Sequence, residues 1–262
     1  MRAMRIALAL IVLACGNARA STFATDVTDL WWNSSESGWG VNVIHQDDTL
    51  FLTFFVYGAN QAPIWYSGSE VRYVTSPPTQ TTYTGDLFQT SGPYLGGAYD
   101  QRNVTYRKVG TVTFLVNSPT VASLTYTVDG VTVQKTLTRY TYRVNNTSGI
   151  YRGVISGALS NCTPSTMNGP LDTFLTAMTV GHNNATFGMS TTDSLGVTCT
   201  YTGGYSQIGR VGEINGAFTC SNGRSGPYQV TELEATPNGL YGRFVYSWPQ
   251  CTFTGKIAAA RP

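Results

Sequence analysis

The chain has 262 residues, of which 42% are hydrophobic, 12% aromatic and only 11% charged, with a formal net charge of +2. An average globular protein is about 25% charged, so this composition excludes a coiled coil or a charge-rich helical bundle, and its many aromatics exclude disorder. The small net charge also excludes the broad basic surface that a nucleic-acid partner requires.

Residues 1–20 read MRAMRIALALIVLACGNARA. Arg2 and Arg5 form a basic leader, residues 6–15 are apolar, and Ala18-Arg19-Ala20 is a small-x-small cleavage site, which together are the pattern of a signal peptide. The apolar run is half of the about 20 residues that cross a bilayer, and no later stretch approaches that length. The expectation is a cleaved signal peptide over 1–20 and a periplasmic or secreted mature chain. A lipoprotein signal ending at Cys15 is the rival reading. It is disfavoured by the bulk of Leu13 two positions before the cysteine. Cleavage after Ala20 leaves thirteen basic against fourteen acidic residues, so the mature chain is close to neutral.

The aromatics open the mature chain. Trp31, Trp32, Trp39, Phe51, Phe55, Tyr57, Trp65 and Tyr66 fall within 36 residues. Trp31 and Trp32 precede the first long strand and are expected to be exposed. Trp39, Phe51, Phe55 and Tyr57 are expected in the core. Strands are predicted over 39–46, 49–57, 64–73, 81–88, 108–116, 121–128 and 131–142, with a further one near 94–106. Asp47-Asp48, Gly58-Ala59-Asn60 and Asp129-Gly130 supply turns, and Asp-Gly between two β-branched runs is a strong hairpin signal. The polar, turn-rich segment Val144-Asn145-Asn146-Thr147-Ser148-Gly149 then reads as a linker. It divides the mature chain into domains over 21–146 and 147–262.

The second half parses into eight short strands, over 149–158, 172–180, 185–191, 197–205, 211–220, 228–234, 240–248 and 252–259. Their spacing and short turns are those of an all-β antiparallel meander. The fold expected is therefore all-β, with two tandem antiparallel barrel-like domains. Cys162, Cys199, Cys220 and Cys251 all lie in this half, and four cysteines in an exported chain read as two disulfides. Cys162 follows the first strand of the half and Cys251 opens its last. Those positions are neighbours only if the sheet closes, so Cys162–Cys251 with Cys199–Cys220 is the pairing a closed barrel favours. A weak internal repeat is suggested by Ser37-Gly38-Trp39-Gly40-Val41 and Ser148-Gly149-Ile150-Tyr151, each with Ser-Gly and an aromatic at a strand start.

Chemistry is sparse. No CxxC pair exists, and His45 and His182 are the only imidazoles, so no metal centre is expected. No phosphate-binding or cofactor motif is found, and no GxSxG elbow surrounds a serine. His45 and His182 both lie at predicted turns and read as solvated. Glu36 with Asp47, Asp48 or Asp86 could supply paired carboxylates for glycosidase chemistry. Glu36 more simply caps a turn, and Glu232 and Glu234 share a solvated strand face. Trp31, Trp32, Glu36, Trp65 and Tyr66 are the candidate ligand-binding residues, and no catalytic residue is assigned.

The stretch Asp29-Leu30-Trp31-Trp32-Asn33-Ser34-Ser35-Glu36-Ser37-Gly38-Trp39-Gly40-Val41-Asn42 resembles the WWNPxESGWGxN motif of a family of exported proteobacterial proteins. His45-Gln46-Asp47-Asp48, Phe54-Phe55-Val56-Tyr57 and Pro63-Ile64-Trp65-Tyr66 resemble its later segments, with Ser34 in place of Pro and Phe54 in place of Trp. The resemblance implies export and a bacterial origin, and transfers no activity. A looser likeness is to the calycin barrels, the lipocalins and avidins, in which a late Arg packs across a Trp of the first strand. Gly38-Trp39 with Arg139 or Arg143, and Gly149-Ile150-Tyr151 with Arg261, would be the counterparts. The reading is an exported, non-catalytic binding or structural module for a small-molecule, glycan or protein ligand. A secreted hydrolase acting on glycan or ester, and an inhibitor or adhesion protein acting by protein contact, are the alternatives.

Overall fold

The computed structural model describes residues 25–74 and 81–262. The expected signal peptide over 1–20 and the Cys15 alternative lie outside the described residues. The strands are β1 (Asp29–Trp32), β2 (Gly40–Gln46), β3 (Thr49–Tyr57), β4 (Pro63–Val74), β5 (Thr81–Ser91), β6 (Thr105–Ser118), β7 (Val121–Val128) and β8 (Val131–Arg139). They continue with β9 (Gly149–Ser160), β10 (Gly169–Asn183), β11 (Thr186–Asp193), β12 (Thr198–Ile208), β13 (Val211–Cys220), β14 (Ser225–Thr236), β15 (Gly239–Trp248) and β16 (Cys251–Ala260). Each set of eight is an antiparallel meander closed into a barrel, by β1 on β8 and by β9 on β16. Closure leaves no sheet edge unpaired. The disulfides are Cys162–Cys251 and Cys199–Cys220, as strand order predicts, and they fit an oxidising compartment.

Two expectations for the first half are corrected. The segment near 94–106 is loop with a 3-10 turn at Gln101–Asn103, and the eighth strand is instead β1, which carries Trp31 and Trp32. Four residues with two adjacent Trp show no alternation, and β1 is a strand because it pairs with β2 on one side and, across more than 100 residues of sequence, with β8 on the other. Trp31 is fully buried and meets Phe114 edge-on, so it is core rather than exposed. Conversely Phe51, Phe55 and Tyr57 face solvent, while Leu50, Leu52 and Phe54 fill the lumen. The sequence of β3, TLFLTFFVY, is apolar on both faces. Its alternation therefore could not say which face was the inner one.

The β1–β8 seam is short, with only Trp31↔Arg139 and Trp32↔Thr138 in register. Arg139 secures it from inside. Its guanidinium lies 5.0 Å from the Trp31 ring centre and is 2% exposed. It donates to Pro119 O, Thr28 O and Asp26 O, and pairs with the Asp29 carboxylate at 3.2 Å. Burial depresses the Arg139 pKa, opposed by the Asp29 charge and its hydrogen bond.

The second barrel repeats this closure. Trp31 Nε1 donates to Val27 O at 2.9 Å, and Tyr151 Oη to Thr147 O at 2.7 Å. His45 Nδ1 accepts from Val27 N at 3.4 Å, and His182 Nδ1 from Thr147 N at 3.3 Å. Thr28 Oγ1 and Ser148 Oγ each accept from the backbone N–H of the matching His, and Arg261 lies 5.3 Å from the Tyr151 ring. The repeat thus aligns residues 27–31 with 147–151. The sequence match through Ser37-Gly38-Trp39 was out of phase, and Arg143 is exposed and takes no part. Both histidines are structural rather than solvated. Their Nε2 atoms face the carbonyls of Asp47 and Asn184, so each ring bridges two stretches of backbone.

The barrels are joined through the β12–β13 hairpin. Gly209 has φ +65°, and a Cβ there would lie 2.4 Å from both Arg139 Cβ and Asp29 Oδ2. Arg210 N donates to Asp29 Oδ2, and its guanidinium bridges Asp26 and Glu234 at 2.5 and 2.7 Å. Gln207 receives Asn145 N–H and donates to Arg143 O, while Gly209 N donates to Thr141 Oγ1. Thr147 is fully buried, so the linker is tethered along its length.

Arg139→Ala should cost about 3–5 kcal/mol, because it leaves the buried Asp29 charge without its guanidinium partner. The exposed Arg261→Ala should cost about 1 kcal/mol, the loss of ordinary hydrogen bonds. Urea denaturation of both variants checks the contrast. The Asp26 pKa is raised by burial but lowered more by hydrogen bonds from Thr28 and by the Arg210 charge, and the net shift is downward. A depressed carboxylate stabilises above its unfolded pKa and loses that contribution as pH falls through the folded one. Contact between the barrels should therefore persist at neutral pH and weaken only below about pH 4, read by small-angle scattering, with Asp26→Asn abolishing the transition.

Candidate functional site

The lumen of the first barrel is packed with Trp31, Leu50, Leu52, Phe54, Tyr83, Phe114 and Leu137. The ligand-sized spaces of this barrel are therefore on its outer surface. Side chains alternate along a strand, so burying Trp31 turns Trp32 outward, and burying Tyr66 against the core turns Trp65 outward. The outward residues gather over β1–β4. Gly40 lies opposite Phe55, Phe55 opposite Trp65, and Tyr57 opposite Pro63.

Two adjoining clefts result. The first, of about 330 Å³, is lined by Leu30, Trp32, Gly38, Trp39, Gly40, Phe55 and Tyr140. Its floor is Gly40, which has no side chain to fill the space, and Trp32 meets Tyr140 edge-on at 4.9 Å along one wall. The second cleft, of about 370 Å³, lies between Phe55, Tyr57, Pro63, Ile64 and Trp65, and shares Gly38 and Phe55 with the first. Gly38 has φ +110°, a conformation that L side chains rarely adopt, and it turns the chain so that Trp39 reaches the first cleft. Phe55, Tyr57 and Trp65 are 50%, 60% and 47% exposed. Water is thus in contact with a run of ring faces that folding leaves unburied.

Glu36 sits at the edge of this surface and is fully engaged. Lys135 Nζ approaches its carboxylate at 2.7 Å, and Trp39 Nε1 donates to it at 3.1 Å. Lys135 also lies 5.8 Å from the Trp39 ring, so the three groups hold one another in place. The hydrogen bond from Lys135 is the main cause of a lowered Glu36 pKa, with burial opposing it. A general acid needs the opposite shift. Asp47 and Asp48 follow β2 whereas Glu36 precedes it, a separation of about 20 Å along the strand. Asp86 is paired with Lys108 at 2.7 Å. The candidate carboxylates therefore form no pair around a substrate. Among the described residues no cluster of His, Cys, Asp and Glu could hold a metal ion.

Of the five candidate residues, Trp32 and Trp65 line the two clefts and Glu36 anchors Trp39 beside them. Trp31 borders the first cleft but its side chain is fully buried, and Tyr66 is half-buried against the core, where burial raises its pKa. Sequence reasoning missed Phe55 and Tyr57, assigned to the core, and Tyr140, which reaches the motif only through the β1–β8 seam. The WW-to-WG motif was the usable signal, since its Trp32, Gly38, Trp39 and Gly40 all come together in the first cleft. No protein-family model and no curated protein matches the chain.

Trp31→Ala should destabilise by about 3–5 kcal/mol, as a fully buried Trp does. Trp32→Ala and Trp65→Ala should each cost about 1 kcal/mol or less, since they lose only edge contacts and partial burial. Thermal unfolding of the three single variants makes the comparison.

Proposed function

We propose that the protein is an exported, non-catalytic binding module, and that it holds a glycan chain on the paired aromatic clefts outside the first barrel. The observation that carries this reading is the gathering of the half-buried Trp32 and Trp39, the latter also packed against the core, with the exposed Phe55, Tyr57, Trp65 and Tyr140 on one surface above a packed lumen. Apolar small molecules are usually bound in concave sites that bury 70–90% of their surface. Open, adjoining clefts suit instead an extended chain that presents flat C–H faces between hydroxyls, as a polysaccharide does. An extended peptide is disfavoured, because a closed barrel offers no sheet edge for strand addition. The depressed Glu36 and the lack of a carboxylate partner weigh against the hydrolase alternative. The calycin-like packing of a late Arg on an early aromatic, Arg139 on Trp31 and Arg261 on Tyr151, supports the barrel likeness and implies nothing about the ligand.

Co-sedimentation with cellulose, chitin and peptidoglycan sacculi tests the reading. Retention on at least one of them should fall by about tenfold or more in Trp32→Ala/Trp65→Ala, roughly the loss of one good aromatic contact per site, with thermal stability nearly unchanged. Glu36→Gln should leave retention within a few-fold, and no sugar should be released. Failure of every glycan to retain the wild-type chain would reject the glycan reading and favour protein contact.

A further inference from the structure

The second barrel holds a cavity of a different kind. It has about 240 Å³ and opens between the β11–β12 and β13–β14 turns. Along β12 and β13 this is the end opposite to the Gly209 hairpin, so the first barrel leaves it uncovered. Its wall is inward-facing: Ile155, Leu175, Tyr201, Phe218 and Tyr246, with the Cys199–Cys220 disulfide at the mouth. Tyr201 and Phe218 are stacked at 5.7 Å, and Tyr246 meets Phe218 edge-on at 5.3 Å. The larger aromatics below, Tyr228, Phe244 and Phe253, fill the rest of the lumen. Near the mouth the inward positions of β10 and β11 carry the small side chains Thr173 and Thr191, which is why space remains.

The charges at this mouth are unequal. Asp193 is committed to its own turn, where its carboxylate accepts from Leu195 N and Val197 N at 2.8 and 2.9 Å. Asp172 lies between the inward Leu171 and Thr173 and so faces outward and exposed. Arg224 is different. Its guanidinium lies 4.9 Å from the Trp248 ring and makes no ion pair among the described residues. It is close enough to Tyr246 to oppose the upward pKa shift that burial gives that phenol. The cavity thus combines an aromatic wall, an exposed cation that forms no ion pair among the described residues and an apolar rim at Leu195, which is 87% exposed.

We infer that this cup is a second binding site, which takes a compact aromatic carboxylate with its ring against Tyr201, Phe218 and Tyr246 and its anion toward Arg224. Size agrees with the assignment. An apolar cavity of about 150 Å³ is enough for benzene, so 240 Å³ accommodates one substituted ring. A bidentate, planar guanidinium is the group best matched to a carboxylate. A long acyl chain is excluded by the aromatics that fill the lumen below. The site is independent of the outer clefts, which lie on the other barrel.

Calorimetric titration of the full disulfide-bonded chain with benzoate, 4-hydroxybenzoate and, as a neutral control, benzyl alcohol tests the inference. Saturable binding of at least one carboxylate is expected at concentrations below about 1 mM. Arg224→Gln should weaken carboxylate binding by about tenfold, Arg224→Lys should recover part of it, and benzyl alcohol should change less than about twofold. Thr173→Phe should block all three probes by filling the cup. If that variant proves unfolded by its thermal transition, the Arg224 pair decides alone. Trp32→Ala/Trp65→Ala should leave these titrations unchanged, so failure of the glycan reading and failure of this one are separate results. No saturable carboxylate binding up to about 10 mM, equal binding by Arg224→Gln, or sensitivity to the outer-cleft variant would each overturn the assignment.

Discussion

A guanidinium removed from water needs an acceptor for its donors and a negative charge nearby, or its desolvation is uncompensated. Arg139 meets this requirement with groups from two separate parts of the chain. They are the carbonyls of Asp26 and Thr28 and the carboxylate of Asp29 in the entry segment, and the carbonyl of Pro119 between β6 and β7. Burying one cation therefore fixes the entry segment, the β6–β7 turn and the end of β8 together. Only two residue pairs join β1 to β8, so closure of the first barrel rests on this clamp and on the Trp31 ring beneath it. The Asp29 carboxylate also accepts Arg210 N–H, so the same charge seats the second barrel on the first.

The second barrel shows what happens when the seam is long. β16 and β9 pair over nine residues, from Thr252↔Ser160 to Ala260↔Arg152, and the Cys162–Cys251 disulfide ties the same seam. Arg261 still lies over Tyr151, but it is exposed and its guanidinium donates to Tyr151 Oη and Ser148 O alone among the described residues. The repeated parts are the His that accepts a backbone N–H, the hydroxyl that caps that His, and the aromatic that bonds four residues back. The strength of the clamp is the part that differs, and it varies inversely with the hydrogen bonding available to close the sheet.

Closure also decides where each barrel leaves open space. In the first, Trp31 and Phe54 fill the lumen, and the pleat then sends Trp32, Phe55 and Trp65 outside, over the floor left by Gly40. In the second, aromatics from β12–β16 fill one part of the lumen, while threonines on β10 and β11 leave a cup at one end. Two chemically distinct surfaces follow from one architecture, one open and largely apolar, the other concave and bearing a cation. Their separation on different barrels means that neither ligand would have to displace the other.

Much of this was legible in the sequence, because it depends on local or counting properties. The composition excluded helical folds, the turn residues marked the hairpins, and the positions of Cys162 and Cys251 on either side of a closure seam set the disulfide pairing. The WW-to-WG stretch located the outer cleft. The phase of β3, by contrast, was not legible. Leu50, Leu52 and Phe54 are no more apolar as a set than Phe51, Phe55 and Tyr57, so alternation alone could not say which set faced inward. The assignment of Phe55 to the core failed for that reason, and that of Trp31 to the surface failed because the four-residue β1 shows no alternation by which to recognise a strand. Pairing of β1 with β2, which sets Trp31 opposite the buried Val41, orients Trp31 inward, and pairing with β8, more than 100 residues away, brings Tyr140 to Trp32 and buries Arg139. Which groups point into a closed barrel is a property of its long-range register, and that register exists only once the chain has closed.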